Sequence, residues 1–112
     1  MVDLETARKI AISQPDAEEF LHFDHPAFRI RKGKIFATLW PKENRMMVKL
    51  TPIDQSVFHS FDPKVFFPVP NKGGLGGATF VELSLVRPDM LEDAIQLAWQ
   101  TTNSKPSKTK SK

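Results

Sequence analysis

Between Ala27 and Leu50, apolar and polar residues alternate in three short runs, and this period predicts a three-stranded antiparallel meander. Its strands and connections are Ala27–Arg31, the turn Lys32-Gly33, Lys34–Trp40, the loop Pro41–Asn44 and Arg45–Leu50. One predicted face is apolar and holds Phe28, Ile30, Ile35, Ala37, Leu39, Met46, Val48 and Leu50. The opposite face holds Arg29, Arg31, Lys34, Phe36, Thr38, Trp40, Arg45, Met47 and Lys49. Within the meander, that second face therefore combines five cations and two aromatic rings with no carboxylate.

Three further segments have apolar residues at helical spacing. The first runs from Asp3, which can cap it, to Ser13. The second begins at Thr51-Pro52, a capping residue followed by a proline suited to the first helical position. Its predicted buried stripe is Ile53, Val57, Phe58 and Phe61. The third helix begins near Pro88 and has as its apolar face Leu91, Ala94, Ile95, Ala98 and Trp99.

The remaining segments complete the predicted order. Residues Ala17 to His25 are expected to form a short turn before the sheet. Val65–Pro70 is expected to be an edge strand or a strap over the core, since its two prolines exclude a central strand. The glycine-rich segment Asn71–Gly77 is expected to be a loop, and Ala78–Leu85 a half-buried strand. The order α-β-β-β-α-β-β-α predicts an α+β fold, a mostly antiparallel sheet with helices on one face.

Composition sets limits on the function. The 112 residues suit one domain, predicted over residues 1–103, followed by a disordered Lys/Ser/Thr tail over 104–112. The net charge of +3 depends on the tail: without its four lysines, 12 cations face 13 carboxylates. The absence of cysteine excludes disulfides and thiolate chemistry, and no apolar run is long enough to span a bilayer. A cytoplasmic protein with no membrane partner is the expectation.

Five segments, in this order and spacing, resemble the MmcQ/YjbR family of small bacterial proteins. They are His25-Pro26-Ala27-Phe28-Arg29, Gly33–Pro41, Phe66-Phe67-Pro68-Val69-Pro70, Gly73-Gly74-Leu75-Gly76-Gly77 and the Ala98-Trp99 pair of the last helix. The resemblance covers about residues 4 to 102 and implies a fold like that of frataxin, the CyaY-like fold. It also implies the label of DNA-binding protein that the family often carries, and it brings no catalytic residues.

The basic, aromatic sheet face is the main candidate site. Cations at adjacent points suit phosphates, and exposed aromatic rings can stack on bases. The hypothesis is non-enzymatic binding of DNA or another polyanion, and the residues that would carry it are Arg29, Arg31, Lys34, Phe36, Trp40, Arg45, Lys49 and Lys72, the last in the glycine-rich loop. The alternative is a protein-interaction or small anionic-ligand module that uses the same face.

Other chemistry has little support in the sequence. His22, Asp24 and His25 form the one cluster that suggests a metal, but a zinc site needs further ligands and Pro26 disfavours a shared helical face. The glycine-rich loop lacks the lysine-serine/threonine ending of a P-loop. We therefore predict no metal, no cofactor and no catalytic residues, in a monomer or weak homodimer.

Overall fold

The computed structural model describes residues 1–103, and the lysine-rich tail predicted over 104–112 lies outside the described residues. Its elements, in chain order, are α1 (Leu4–Ile12), β1 (Ala17–His22), β2 (His25–Ile30), β3 (Ile35–Trp40), β4 (Arg45–Lys49), α2 (Pro52–Phe61), β5 (Phe66–Pro68), α3 (Lys72–Leu75), β6 (Ala78–Glu82) and α4 (Pro88–Asn103). The strands form one antiparallel six-stranded sheet in the order β1-β2-β3-β4-β6-β5. The predicted α+β fold with a mostly antiparallel sheet is confirmed.

The main core lies between one face of the sheet, here called the inner face, and the helices. α4 packs across β2, β3 and β4, and α1 packs beside it on β1 and β3. α2 extends this core at the β5 edge, where the rings of Phe58 and Phe66 meet edge to face at 4.8 Å. The outer face of the sheet has neither α1 nor α4 on it.

The predicted helix starts are found in the structure. The Asp3 carboxylate accepts a hydrogen bond from the backbone N–H of Thr6, and the Thr51 hydroxyl accepts one from that of Asp54. Hydrogen bonding to Thr6, through its side chain first and then its backbone, lowers the pKa of Asp3. Among the described residues, no helix has the length and apolar character needed to cross a membrane.

The first correction concerns β1, which the sequence analysis interpreted as a turn. This segment pairs with β2 over six residues, from Ala17 opposite Ile30 to His22 opposite His25. The two-residue turn between them consists of Phe23 and Asp24, with φ of 51° and 66°. Tight hairpin turns need this left-handed conformation, usually supplied by Asn-Gly or Asp-Gly. A Phe-Asp turn lacks that signature, which is why the pattern did not predict the hairpin.

The glycine-rich segment is the second correction, because it contains a short helix. Asn71 caps α3 by accepting hydrogen bonds from the N–H groups of Gly73 and Gly74. A Cβ at Gly74 would collide with the carbonyl oxygen of Val69, and Gly77 has φ of +114° beside the carbonyl of Leu50. These two glycines are required by close backbone approach and by backbone conformation respectively. The segment is therefore ordered around fixed contacts.

Candidate ligand-binding groove

The outer face of the sheet carries a groove between two walls. One wall is the β1–β2 hairpin, and the other is the segment Val69–Gly73, which we call the strap. The groove has a volume of about 350 Å³ and is lined by His22, Phe23, His25, Thr38, Trp40, Met47, Lys49, Val69, Asn71, Gly73 and Ala78. A shallower extension of about 420 Å³ continues past Lys49 to Lys34 and reaches Thr102 at the C-terminal end of α4. The groove thus lies on the face that the sequence analysis selected.

The floor of the groove is a second, smaller apolar cluster. The Trp40 indole lies 4.1 Å from the His25 ring and 5.1 Å from the Phe80 ring, centroid to centroid. Its N–H donates a hydrogen bond of 2.9 Å to the Thr38 hydroxyl. Met47 packs against the same cluster. Because these contacts come from four strands, the orientation of Trp40 is fixed before any ligand arrives.

The eight predicted site residues are not equivalent in the structure. Three are arginines with carboxylate partners, three are lysines, one is the groove indole and one is a core residue. The paired arginines are Arg29, Arg31 and Arg45, and the lysines are Lys34, Lys49 and Lys72. The groove indole belongs to Trp40, and the core residue is Phe36. The structure brings Trp40 and Lys49 together in the groove, with Lys34 in its extension.

The arginines of the outer face are paired with glutamates. Arg29 lies 3.1 Å from Glu18 and Arg31 lies 3.9 Å from the same carboxylate, while Arg45 lies 3.0 Å from Glu82. Glu18 stands directly opposite Arg29 on β1, and Glu82 opposite Arg45 on β6. Both glutamates come from strands outside the meander. The prediction of a face without carboxylates therefore fails once the whole sheet is assembled.

Phe36 is wrong as a site residue, because it is fully buried in the main core. The register between β2 and β3 shifts at this point: Phe28 pairs with Ala37, but Arg29 pairs with Ile35. The extra residue is Phe36, and it shares the inner face with Ala37, as two successive residues do in a β-bulge. Ile35, predicted for the core, instead lies on the outer face beside Thr38 and Met47.

The three lysines of the predicted site differ from its arginines in their ion pairing. No ion pair joins Lys34, Lys49 or Lys72 to any residue within 1–103. Lys49 is exposed and borders both the groove and its extension, whereas Lys72 begins α3 outside the lining. None of the described lining residues is an aspartate or glutamate. The groove therefore has a positive character that depends on Lys49, with Lys34 further along.

Sequence reasoning missed several lining residues. His22 and His25 were considered together only as metal ligands, and within residues 1–103 no group of three or more His, Asp or Glu side chains could hold a metal ion. They face each other across the hairpin, and only His25 stacks on Trp40. Val69 and Asn71 enter the site because the strap crosses the outer face. The sequence signal for this strap was the run Phe-Phe-Pro-Val-Pro followed by an asparagine that can cap a helix.

Comparison with solved structures identifies the class of fold. The protein is similar to the crystal structure of Deinococcus radiodurans protein DR2400, which has a DUF419 domain, with a TM-score of 0.77. The match covers 97% of this chain and 84% of that one at 18% sequence identity, so it shows a shared α+β fold and carries over no function. The family follows from a family model: YjbR matches residues 12–101, and the chain belongs to the YjbR family. No curated protein matches the sequence.

Proposed function

We propose that this protein is a non-enzymatic, cytoplasmic binding module whose groove holds a small anionic ligand with a planar, apolar body. The observation that carries the proposal is a walled groove of about 350 Å³ that is lined mostly by aromatic and aliphatic side chains and bordered by the exposed ammonium group of Lys49, which has no ion-pair partner among the described residues. Small-molecule sites typically have volumes of about 300–1,000 Å³, a mostly apolar lining and few polar groups. The groove falls at the small end of that range.

The arrangement of its side chains favours a flat ligand. Trp40 and His25 already stack on each other, and Phe23 lies at the tip of the hairpin wall with 83% of its surface exposed. An exposed aromatic ring beside a fixed indole is suited to contact the face or edge of a ligand ring. Lys49, at the other side of the floor, would then receive a carboxylate or phosphate group through a charge-assisted hydrogen bond.

The nucleic-acid hypothesis is the rival for the same face. It depends on arginines that would have to leave Glu18 and Glu82 to reach phosphates, and on Phe36, which lies in the core. Specific DNA interfaces bury on the order of 1,000 Å² or more of protein surface and use many phosphate contacts. Lys34, Lys49 and Lys72 are the cations that remain for that role. A small anion needs fewer of them, which is why we favour it.

The first test is a thermal-shift screen of the full chain against aryl carboxylates, aryl phosphates and nucleotides. Binding of each hit is then measured by quenching of Trp40 fluorescence in a Trp99→Phe background, because the chain has two tryptophans. Lys49→Gln is expected to weaken binding about tenfold, the value of one charge-assisted hydrogen bond. The matched control is Lys42→Gln, an exposed lysine in the β3–β4 loop, which should leave affinity unchanged.

The same proteins are titrated with labelled duplex and single-stranded DNA at two salt concentrations. The full chain is compared with a chain ending at Asn103, since the four lysines beyond it attract polyanions by themselves. Affinity that survives truncation, and loses about one unit of salt slope for each of Arg29→Ala, Arg31→Ala and Lys49→Ala, would establish the nucleic-acid function instead. A screen without hits, or hits indifferent to Lys49→Gln, would reject the groove proposal.

A further inference from the structure

The outward side of α2 is apolar, which is the reverse of the usual arrangement of a surface helix. Ile53, Val57 and Phe61 follow one another at intervals of four residues and expose 77%, 60% and 65% of their surface. We call these three residues the α2 stripe. Their helical spacing predicted that they are buried together with Phe58, but Phe58 is the one of the four that reaches the core.

The polar residues of α2 explain why the stripe faces outward. The Gln55 amide donates hydrogen bonds to the carbonyls of Gly74 and Ala78, and His59 Nδ1 lies 2.8 Å from the carbonyl of Phe66. These contacts fix the rotation of the helix, with its hydrogen-bonding residues toward α3, β5 and β6. The same rotation leaves an unbroken line of large apolar side chains in solvent, with Ser56 and Ser60 along one side of it.

The patch continues beyond the helix, and none of residues 1–103 covers it. Leu85, 54% exposed, borders the same shallow depression as Phe61. Residues 104–112 contain only serine, lysine, proline and threonine, so their sequence offers no large apolar side chain to cover it. The largest apolar patch of a typical monomer has an area of about 300–600 Å² and is often functional.

We propose that the α2 stripe is a homodimer interface in which two copies of α2 pack antiparallel about a two-fold axis at Val57. The stripe is symmetric in spacing about Val57, so Ile53 of one copy would meet Phe61 of the other. A two-fold interface requires this kind of self-complementary surface. The serines beside the stripe allow the two helices to approach closely.

The antiparallel arrangement also gives Asp54 a cation to meet, Lys64, which lies two residues after the C-cap Asp62. Asp54 lies in the first turn, and Lys64 follows the last turn; among the described residues neither has an ion-pair partner. Antiparallel packing brings the Asp54 end of each copy to the Lys64 end of the other. The helix dipoles also oppose each other favourably in this orientation.

The apolar area that the two copies would bury limits the affinity of the dimer. The four apolar side chains expose on the order of 400 Å² per copy, hence about 800 Å² in total, which is below the roughly 1,200 Å² of stable complexes. The dimer should therefore be weak and dependent on concentration, with a dissociation constant in the micromolar to millimolar range.

Sedimentation equilibrium of the full chain, from about 10 µM to about 1 mM, tests the proposal. The wild type should approach the dimer mass with rising concentration, and Val57→Asp should raise the dissociation constant at least about tenfold. Leu21→Asp is the matched control, because Leu21 is 72% exposed on β1 at the opposite edge of the sheet. A wild type that stays monomeric, or a Val57→Asp variant that dimerises equally, would overturn the interface.

Cysteine cross-linking tests the orientation, since the chain contains no cysteine. Val57→Cys should form a disulfide-linked dimer under mild oxidation, because Val57 lies on the axis. Ile53→Cys should cross-link poorly with itself and well when mixed with Phe61→Cys. Efficient Ile53→Cys self-linking without Val57→Cys linking would contradict the antiparallel arrangement.

Discussion

The outer sheet face and the α2 stripe are two exposed surfaces whose sequence patterns predicted opposite outcomes. The meander alone predicted an open face of unpaired arginines, and α2 alone predicted a buried apolar stripe. In the folded protein, Glu18 and Glu82 pair with the arginines of the face, whereas Ile53, Val57 and Phe61 remain in solvent. This difference shows that the residue pattern of one segment predicts which side chains lie on the same side of that segment. The neighbouring strands and helices decide whether that side is buried, paired with opposite charges or exposed to solvent.

The largest expected effect on stability distinguishes a phenylalanine of the core from one on the exposed hairpin. Phe36→Ala should lower the free energy of unfolding by about 3–5 kcal/mol, because Phe36 is fully buried and its removal leaves a cavity. Phe23→Ala, at the exposed hairpin tip, should change it by less than about 0.5 kcal/mol. Urea unfolding measures both. A small loss of unfolding free energy in Phe36→Ala would indicate that the Phe36 ring lies on the outer face, and it would contradict the β-bulge.

The next comparison lies within α2 and uses two phenylalanines three residues apart. Phe58→Ala should cost about 3 kcal/mol of unfolding free energy, since Phe58 is 8% exposed and packs on Phe66. Phe61→Ala should cost less than about 0.5 kcal/mol in dilute solution, where the monomer dominates. Equal losses in chemical denaturation would show that the stripe is covered within the monomer, and the dimer proposal would lose its basis.

A third comparison uses the glycine turn Gly76-Gly77 between α3 and β6, where Gly77 packs against the backbone of Leu50 and Thr51 just before α2. Gly77→Ala should destabilise the fold by about 1–3 kcal/mol, because Gly77 has φ of +114° and a Cβ there meets the carbonyl of Leu50. Gly76→Ala is the control, since a Cβ there would lie 3.6 Å from the carbonyl oxygen of Gly73, an ordinary contact distance. Thermal unfolding of both variants measures the difference, and similar melting temperatures would show that the turn relaxes freely.

The smallest effect concerns the ion pairs of the outer face. A double-mutant cycle on Arg45 and Glu82 should give a coupling free energy of about 0.5–1 kcal/mol in low salt, because the pair is only partly exposed. The cycle on Arg31 and Glu18 should give nearly zero, since that contact is longer, at 3.9 Å, and more exposed. No coupling at Arg45 would leave that arginine available to an anionic ligand.

Much of the fold could be predicted from the sequence, and the candidate site only in part. Period-2 runs located β2, β3, β4 and β6. Capping residues located the starts of α1 and α2, and a proline suited to the first helical position located the start of α4. Trp40 and Lys49 were found because alternation places them on the outer face. His22, Phe23 and Asn71 were not, since β1, its Phe-Asp turn and α3 give weak local signals. The second wall of the groove also depends on a strap that crosses the sheet far from the meander in sequence.

The sequence by itself determined all the elements except β1 and α3, their order and the side on which most residues lie, because backbone periodicity and capping are local properties. Only the tertiary structure decided the bulge at Phe36, the glutamates beside the arginines and the rotation of α2. Each of these results from contacts between segments distant along the chain, such as Gln55 with Ala78 and Arg45 with Glu82. Such contacts depend on how the strands and helices come together, and no local pattern contains that information.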